Sequence, residues 1–373
     1  MKITVLTRGY PTTSPGGMPN VCGSLCEGLA KAGHDIIVLT MSNPNKSIKE
    51  EVVNNVKIEY LPCPPLRYTP EWYSMATKRV GELKQDLIYS ESGAGSYVVD
   101  SYPHIPSIQR LHGFSYEEIF TSLIPAITNP DDARFDINAF AHWVHRRITQ
   151  AREDRMNAQK YDCLIGLTEV NVRNIKYVLQ PKRVEMIRNG IDVDKFDYMP
   201  KQEKIYDVIF TGNLTKLKGI GVLNHAMGMI KEWNKSIRCV AFGNNSEKHN
   251  FANIEYKGAL PNDEMPIVYN QAKIFVNPTL YYTGMDTTIM EATCCGLPCI
   301  VSEGENLEEI INEAAIYGFT RGDAEVLALT IMAVSKELNT FDNSKISNAG
   351  KILFSQERMV KEHIKLFNSL IRK

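Results

Sequence analysis

Two spacings of apolar residues alternate along this chain. Short apolar runs at Ile3–Leu6, Asp35–Thr40, Val56–Leu61, Leu87–Ser90, Ile108–Leu111 and Cys163–Leu167 read as buried strands. Between the first two lie Gly16-Gly17 and a helix-period segment from about Asn20 to Ala32, stopped by Gly33-His34. A strand, a loop, a helix and a second strand predict a parallel sheet with a right-handed crossover. The second half repeats the pattern, with strands expected at Val208–Thr211, Ile237–Phe242, Ile254–Tyr256, Ile274–Val276 and Cys299–Val301. Val184–Phe196 and the polar stretch Tyr198–Lys204 read as the connection between the halves. An amphipathic helix is expected over Gln356–Ile371. The pattern predicts an α/β protein of two similar doubly wound domains around a cleft.

The densest chemistry lies in Tyr281–Ser302. A glycine-containing loop opens a helix there, Gly296 stops it, and Pro298 leads into a buried strand. The first turn of a helix offers unpaired backbone N–H groups and partial positive charge, which suits an anionic group. Glu291 sits one or two turns into that helix and can accept hydrogen bonds from hydroxyls. Phosphate held by backbone and ribose held by carboxylate is the logic of a nucleotide-sugar site. Lys218, at a strand-to-helix turn, supplies an ammonium that could neutralise a diphosphate. His112 ends a strand, where parallel sheets bind ligands. Gly16-Gly17 allows close backbone approach to a ligand.

These residues resemble the signatures of the family 4 glycosyltransferases, which have the GT-B fold. The family form E-G-F-G-x-x-x-x-E-A-x-A-x-G-x-P-V-V is matched by Gly284, Glu291, Gly296 and Pro298; Thr283 replaces the first glutamate and Asp286 the second glycine. Arg188–Phe196 is similar to P-N-G-I-D-x-x-x-F, and Gly212–Gly219 to G-R-L-x-x-x-K-G, with Asn213 in place of the arginine. The resemblance implies an N-terminal Rossmann-like acceptor domain over 1–195, a donor domain over 196–355 and a terminal helix, 356–373, crossing back to the first. It implies transfer of a sugar from a nucleotide-diphosphate donor, with a uridine nucleotide favoured and a guanosine one the alternative, to a hydroxyl, with retention of configuration and without a metal. Donor contacts are expected from Gly17, Asn213, Lys218, Thr283, Gly284, Met285, Asp286, Thr287, Thr288 and Glu291. Acceptor contacts are expected from Gly16, Gly17 and His112, and catalytic roles from His112, Lys218 and Asp286. Asp286 either takes over the sugar contact of the missing glutamate or caps the helix.

Composition alters this picture little. The chain has 373 residues, 43% of them hydrophobic and 23% charged, and a net charge of −1, which gives no general attraction to nucleic acid. The first residues read as a strand, not a signal peptide, and no apolar run is long enough to span a membrane. Eight cysteines without C-x-x-C pairing predict free thiols, no zinc and a reducing, cytoplasmic setting. Asp192-Val-Asp194 resembles a metal-binding D-x-D, but turn chemistry explains it better. Phe140–Arg155 reads as a basic helix whose solvated face leaves peripheral membrane contact open. The expected partners are a nucleotide sugar and a glycan, lipid-linked or small-molecule acceptor, with no cofactor. A non-catalytic binding protein and a sugar-nucleotide epimerase or hydrolase are the alternative functions on this scaffold.

Overall fold

The computed structural model describes residues 1–13, 16–42, 49–63, 68–119, 121, 137–233, 236–245, 251–281, 285–303 and 314–371. The chain divides into two compact units. One is drawn from Met1–Tyr116, Val144–Gly190 and Gln356–Lys373, the other from Glu117–Trp143 and Ile191–Ser355.

The first unit contains β1 (Lys2–Leu6), α1 (Gly17–Lys31), β2 (Asp35–Met41), β3 (Glu50–Val53), β4 (Val56–Leu61), α2 (Pro70–Glu82), β5 (Leu87–Glu91) and β6 (Ser107–Arg110). The helix α3 (Ile137–Ala158), which belongs to this unit from Val144 onward, β7 (Cys163–Gly166), α4 (Glu169–Asn174) and β8 (Val184–Met186) follow. The sheet order is β3-β4-β2-β1-β5-β6-β7-β8, parallel except for the antiparallel edge strand β3. Consecutive strand residues point to opposite faces and both faces are covered: Val5 joins one apolar cluster and Leu6 the other. Burial on both faces explains why the strands read as unbroken apolar runs.

The second unit contains β9 (Tyr206–Thr211), α5 (Ile220–Trp233), β10 (Cys239–Phe242), β11 (Glu255–Gly258), α6 (Met265–Asn270) and β12 (Ala272–Asn277). It continues with α7 (Thr287–Cys294), β13 (Cys299–Ser302), β14 (Ile316–Phe319), α8 (Ala324–Lys336) and α9 (Asn343–Phe354). The all-parallel order is β11-β10-β9-β12-β13-β14. Ile209 and Val208 again feed separate clusters on the two faces.

The last helix, α10 (Gln356–Ile371), belongs to the first unit. It buries Met359, Val360, Leu366 and Phe367 in the cluster that holds Leu25 and Leu29 of α1. The chain passes between units at Gly190–Ile191, where Ile191 N–H bonds to Phe354 O at 2.8 Å. Within the first unit, Arg358 Nη2 donates to Arg188 O (3.0 Å) and Asn189 O (2.9 Å), anchoring the Arg-Asn-Gly segment. Asp192 Oδ1 accepts from the N–H groups of Asp194 (3.1 Å) and Lys195 (3.2 Å), so this aspartate closes a turn.

Strand boundaries shift by a few residues from the pattern. Residues 184–186, expected in the connection, form the edge strand β8. All eight cysteines are free and buried. No described helix is long and apolar enough to cross a membrane, and no described group of three or more His, Cys, Asp or Glu side chains could hold a metal.

Candidate active site

Each sheet has one point where successive strands begin to be added in the opposite direction. In the second unit this point falls between β9 and β12. Parallel sheets bind ligands outside the carboxyl ends of the strands at such a point, because the two loops diverge and leave a crevice. Lys218 lies in the loop after β9, while Asn277 ends β12 and Asp286 lies beyond it.

Thr215 accepts the Lys218 N–H (3.3 Å) and starts a single turn that ends at Gly219. Gly219 has φ +74°, and a Cβ there would lie 1.7 Å from the Pro278 carbonyl oxygen, so only glycine lets the two loops meet. This contact holds Lys218 beside the start of α7. Lys218 Nζ lies 2.6 Å from Asp286 Oδ1 and 2.7 Å from Oδ2, and 5.2 Å from the centre of the Tyr281 ring. Asn277 Nδ2 donates to Asp286 Oδ2 at 2.9 Å. Asp286 occupies the N-cap position of α7 but makes no side-chain cap bond. Its carboxylate therefore binds Lys218 and Asn277, and the cap reading of this residue is corrected. Burial opposes its charge, yet Lys218 and Asn277 hold its pKa below the ordinary aspartate value.

Glu291 lies one turn into α7. Tyr269 donates to its Oε2 (2.9 Å) and shares a hydrogen bond of 2.7 Å with Thr211 at the end of β9. Burial pushes the Glu291 pKa up to about 7, against the Tyr269 bond, with Asp286 adding repulsion. The helix stops as expected: Gly296 (φ +79°) donates to Thr293 O (2.9 Å) and Leu297 to Ala292 O (3.1 Å), a Schellman end. Thr287 and Thr288 form the first turn of α7, Met285 is buried beside it, and Asn213 follows β9 before Lys218. Thr283 and Gly284 lie outside the described residues.

In the first unit the sheet reverses between β1 and β5. Gly16 and Gly17 start α1 after β1, and Glu91 ends β5 beside β6, which His112 follows. His112 Nε2 lies 2.6 Å from Glu91 Oε2. The Glu91 side chain is 1% exposed and that of His112 is 17% exposed. Arg110, fully buried, lies 3.7 Å from the other Glu91 oxygen and donates to Asn189. Burial works against the Glu91 charge, but His112 and then Arg110 hold its pKa below the usual glutamate value. Nearby, His363 of α10 bonds Tyr89 (3.0 Å) and Met359 O (2.7 Å); burial and Arg110 lower its pKa to about 3, so it is neutral.

Expected site residues thus form two groups: Lys218, Asp286 and Glu291 at one switch point, Gly16, Gly17 and His112 at the other. Glu91 and Tyr269 were missed. Each ends or adjoins an apolar stretch, and nothing in their spacing signals the hydrogen bond they make.

Two family models match the chain in tandem. Glycosyltransferase Family 4 covers residues 15–195, and Glycosyl transferases group 1 covers 206–337. The chain is a GT-B glycosyltransferase. This glycosyltransferase is similar to an uncharacterized glycosyltransferase of Methanocaldococcus jannaschii, 24% identical over 342 residues and 83% of either chain. It also resembles the amylovoran biosynthesis glycosyltransferase AmsK of Erwinia amylovora, 23% identical over 175 residues and 42% of either chain. Among solved structures, sucrose-phosphate synthase of Thermosynechococcus elongatus superposes with a TM-score of 0.80 at 17% identity, covering 100% of this chain and 99% of its own. Anabaena HepE in complex with UDP-glucose gives 0.70 at 13% identity, covering 99% and 100%. The two parallel-sheet domains of this glycosyltransferase are those of the GT-B fold.

Proposed function

We propose that the chain transfers a sugar from a nucleotide-diphosphate donor, with a uridine nucleotide favoured, to a hydroxyl acceptor with retention of configuration and without a metal. One observation carries this reading: Lys218, the first turn of α7 and Glu291 meet at a single switch point. An ammonium and a helix N-terminus suit a diphosphate, and a carboxylate one turn further suits the ribose hydroxyls. Negative charge grows on the leaving diphosphate as the glycosidic bond breaks, so a fixed cation lowers that barrier. Lys218 can supply the cation a metal provides elsewhere. Retention rests on the family resemblance, as does front-face attack by the acceptor assisted by the leaving phosphate. The complex of Anabaena HepE with UDP-glucose supports the choice of base.

A second reading, a non-catalytic nucleotide-sugar binder, is favoured by the Lys218 charge already being balanced by Asp286. Melting shifts with a panel of nucleotide sugars, followed by donor turnover with and without candidate acceptors, separate the two. A donor that protects the fold and is consumed, at a rate EDTA leaves unaltered, supports the transferase. Protection without turnover supports the binder, and absence of any shift overturns both.

A further inference from the structure

We propose that Glu91 is a positioning residue that fixes His112 as the Nε2–H tautomer, so that Nδ1 offers a lone pair to a hydroxyl. That this hydroxyl belongs to the transferred sugar rests on the glycosyltransferase reading above; the tautomer does not.

The protonation follows from what each atom can do. An ionised carboxylate only accepts hydrogen bonds, and the Arg110 guanidinium 3.7 Å from Glu91 favours its ionised form. The imidazole nitrogen 2.6 Å from it must therefore carry the proton. In a neutral ring the other nitrogen, Nδ1, is then an acceptor. It has no hydrogen-bond partner among the described residues.

The geometry is rigid. The carbonyl groups just after Glu91 are gripped on several sides: Gln109 Nε2 donates to Ser92 O (2.9 Å), Tyr73 to Gly93 O (3.0 Å) and Trp72 Nε1 to Ala94 O (2.9 Å). Ser90 Oγ accepts the Gly95 N–H at 2.8 Å, closing the same turn. Trp72 and Ala94 are fully buried. The backbone that follows Glu91 is thus held in place, and its side chain is buried against His112.

An acceptor at this place has a chemical use. As a glycosidic bond breaks, positive charge spreads over the sugar ring and its hydroxyls become better donors. A bond into Nδ1, backed by the Glu91 carboxylate across the ring, strengthens in the transition state relative to the ground state. A donor at Nδ1 would do the opposite.

The test uses the full chain labelled with 15N-histidine, with His112→Gln identifying the His112 resonances among eight histidines. The wild type should show a pyrrole-type Nε2 and a pyridine-type Nδ1; the reverse pattern overturns the assignment. Glu91→Gln can donate to Nε2 and so permits the other tautomer. It should lower kcat by at least about tenfold, leave the Kd for the nucleoside diphosphate unchanged, and shift the His112 resonances. Glu91→Asp should restore part of kcat. A Glu91→Gln enzyme that stays folded with wild-type kcat overturns the proposal. If the wild type consumes no donor, the transferase reading falls, and the tautomer spectrum still decides the role of Glu91.

Discussion

At Lys218 the chain carries its own anion. Asp286 holds the ammonium through both carboxylate oxygens at the place where a diphosphate would be expected. Both side chains are about three-quarters covered, with exposures of 26% and 28%, so the pair is screened less than a surface one. An incoming diphosphate must displace this carboxylate or sit against it. Asp286→Asn keeps the Asn277 contact within reach and removes the competing charge. It should tighten nucleoside diphosphate binding by about tenfold while leaving the free nucleoside unaffected. Calorimetry with both ligands checks this; equal or weaker diphosphate binding would show that Asp286 belongs to the donor contacts. Glu291 titrates near the working range, at about 7. In the proposed role its ionised form accepts the ribose hydroxyls, so nucleotide affinity should rise between about pH 6 and 8 and then level off. The same raised pKa favours the folded state below the unfolded value and loses that advantage as pH rises through the folded one. Glu291→Gln should therefore abolish the pH dependence of binding, weaken binding, and raise Tm at pH 8 more than at pH 5. The places of Lys218 in the turn after a strand and of Glu291 inside a helix were legible because motif and element order coincide. Glu91 and Tyr269 were not, since burial of a carboxylate and a hydroxyl pairing across elements leave no local trace.

Elements were legible in proportion to their burial. Strands covered on both faces, such as β1, β2, β9 and β12, announce themselves as apolar runs. The edge strand β3 does not: Glu50-Glu51-Val52-Val53 is half charged and its outward residues are solvated. Edge strands tolerate such residues because one side has no partner to satisfy. β14 reads as Ile-Tyr-Gly-Phe and lacks a run for the same reason. The turn between β9 and α5 is the element whose local chemistry matters most for the site. Gly219→Ala combines a positive φ with a Cβ 1.7 Å from a backbone oxygen, and a backbone oxygen cannot yield as a side chain can. We expect a loss of about 3 kcal/mol or more and displacement of Lys218. Denaturant unfolding and diphosphate affinity should fall together; a stable variant with weakened binding would mean that the turn had rearranged alone.

On the scale of the whole molecule, each half behaves as its own doubly wound sheet with its switch point bearing the candidate chemistry. That much follows from strand and helix order. The closure of the first unit by α10 is chemically specific: Phe367 is fully buried, and a Cβ on Gly28 of α1 would come within 2.5 Å of Val360. Phe367→Ala should cost roughly 3–5 kcal/mol and lower the melting of the unit that contains β1, detectable by exchange of its strand amides. A fragment of residues 1–190 should lack cooperative unfolding, because the α1 face bearing Leu25 and Leu29 loses its cover. A fragment that melts sharply would show that α10 is dispensable.

The three-segment make-up of the first unit also sets an order of events during synthesis. Its opening strands leave the ribosome well before the residues that seal them, Met359 to Leu370, which emerge only after the segment 191–355. The segment 191–355 has emerged by then and can complete its own core. The half made first must therefore wait, with an apolar helix face uncovered, and is the half most dependent on chaperones while the chain is still growing.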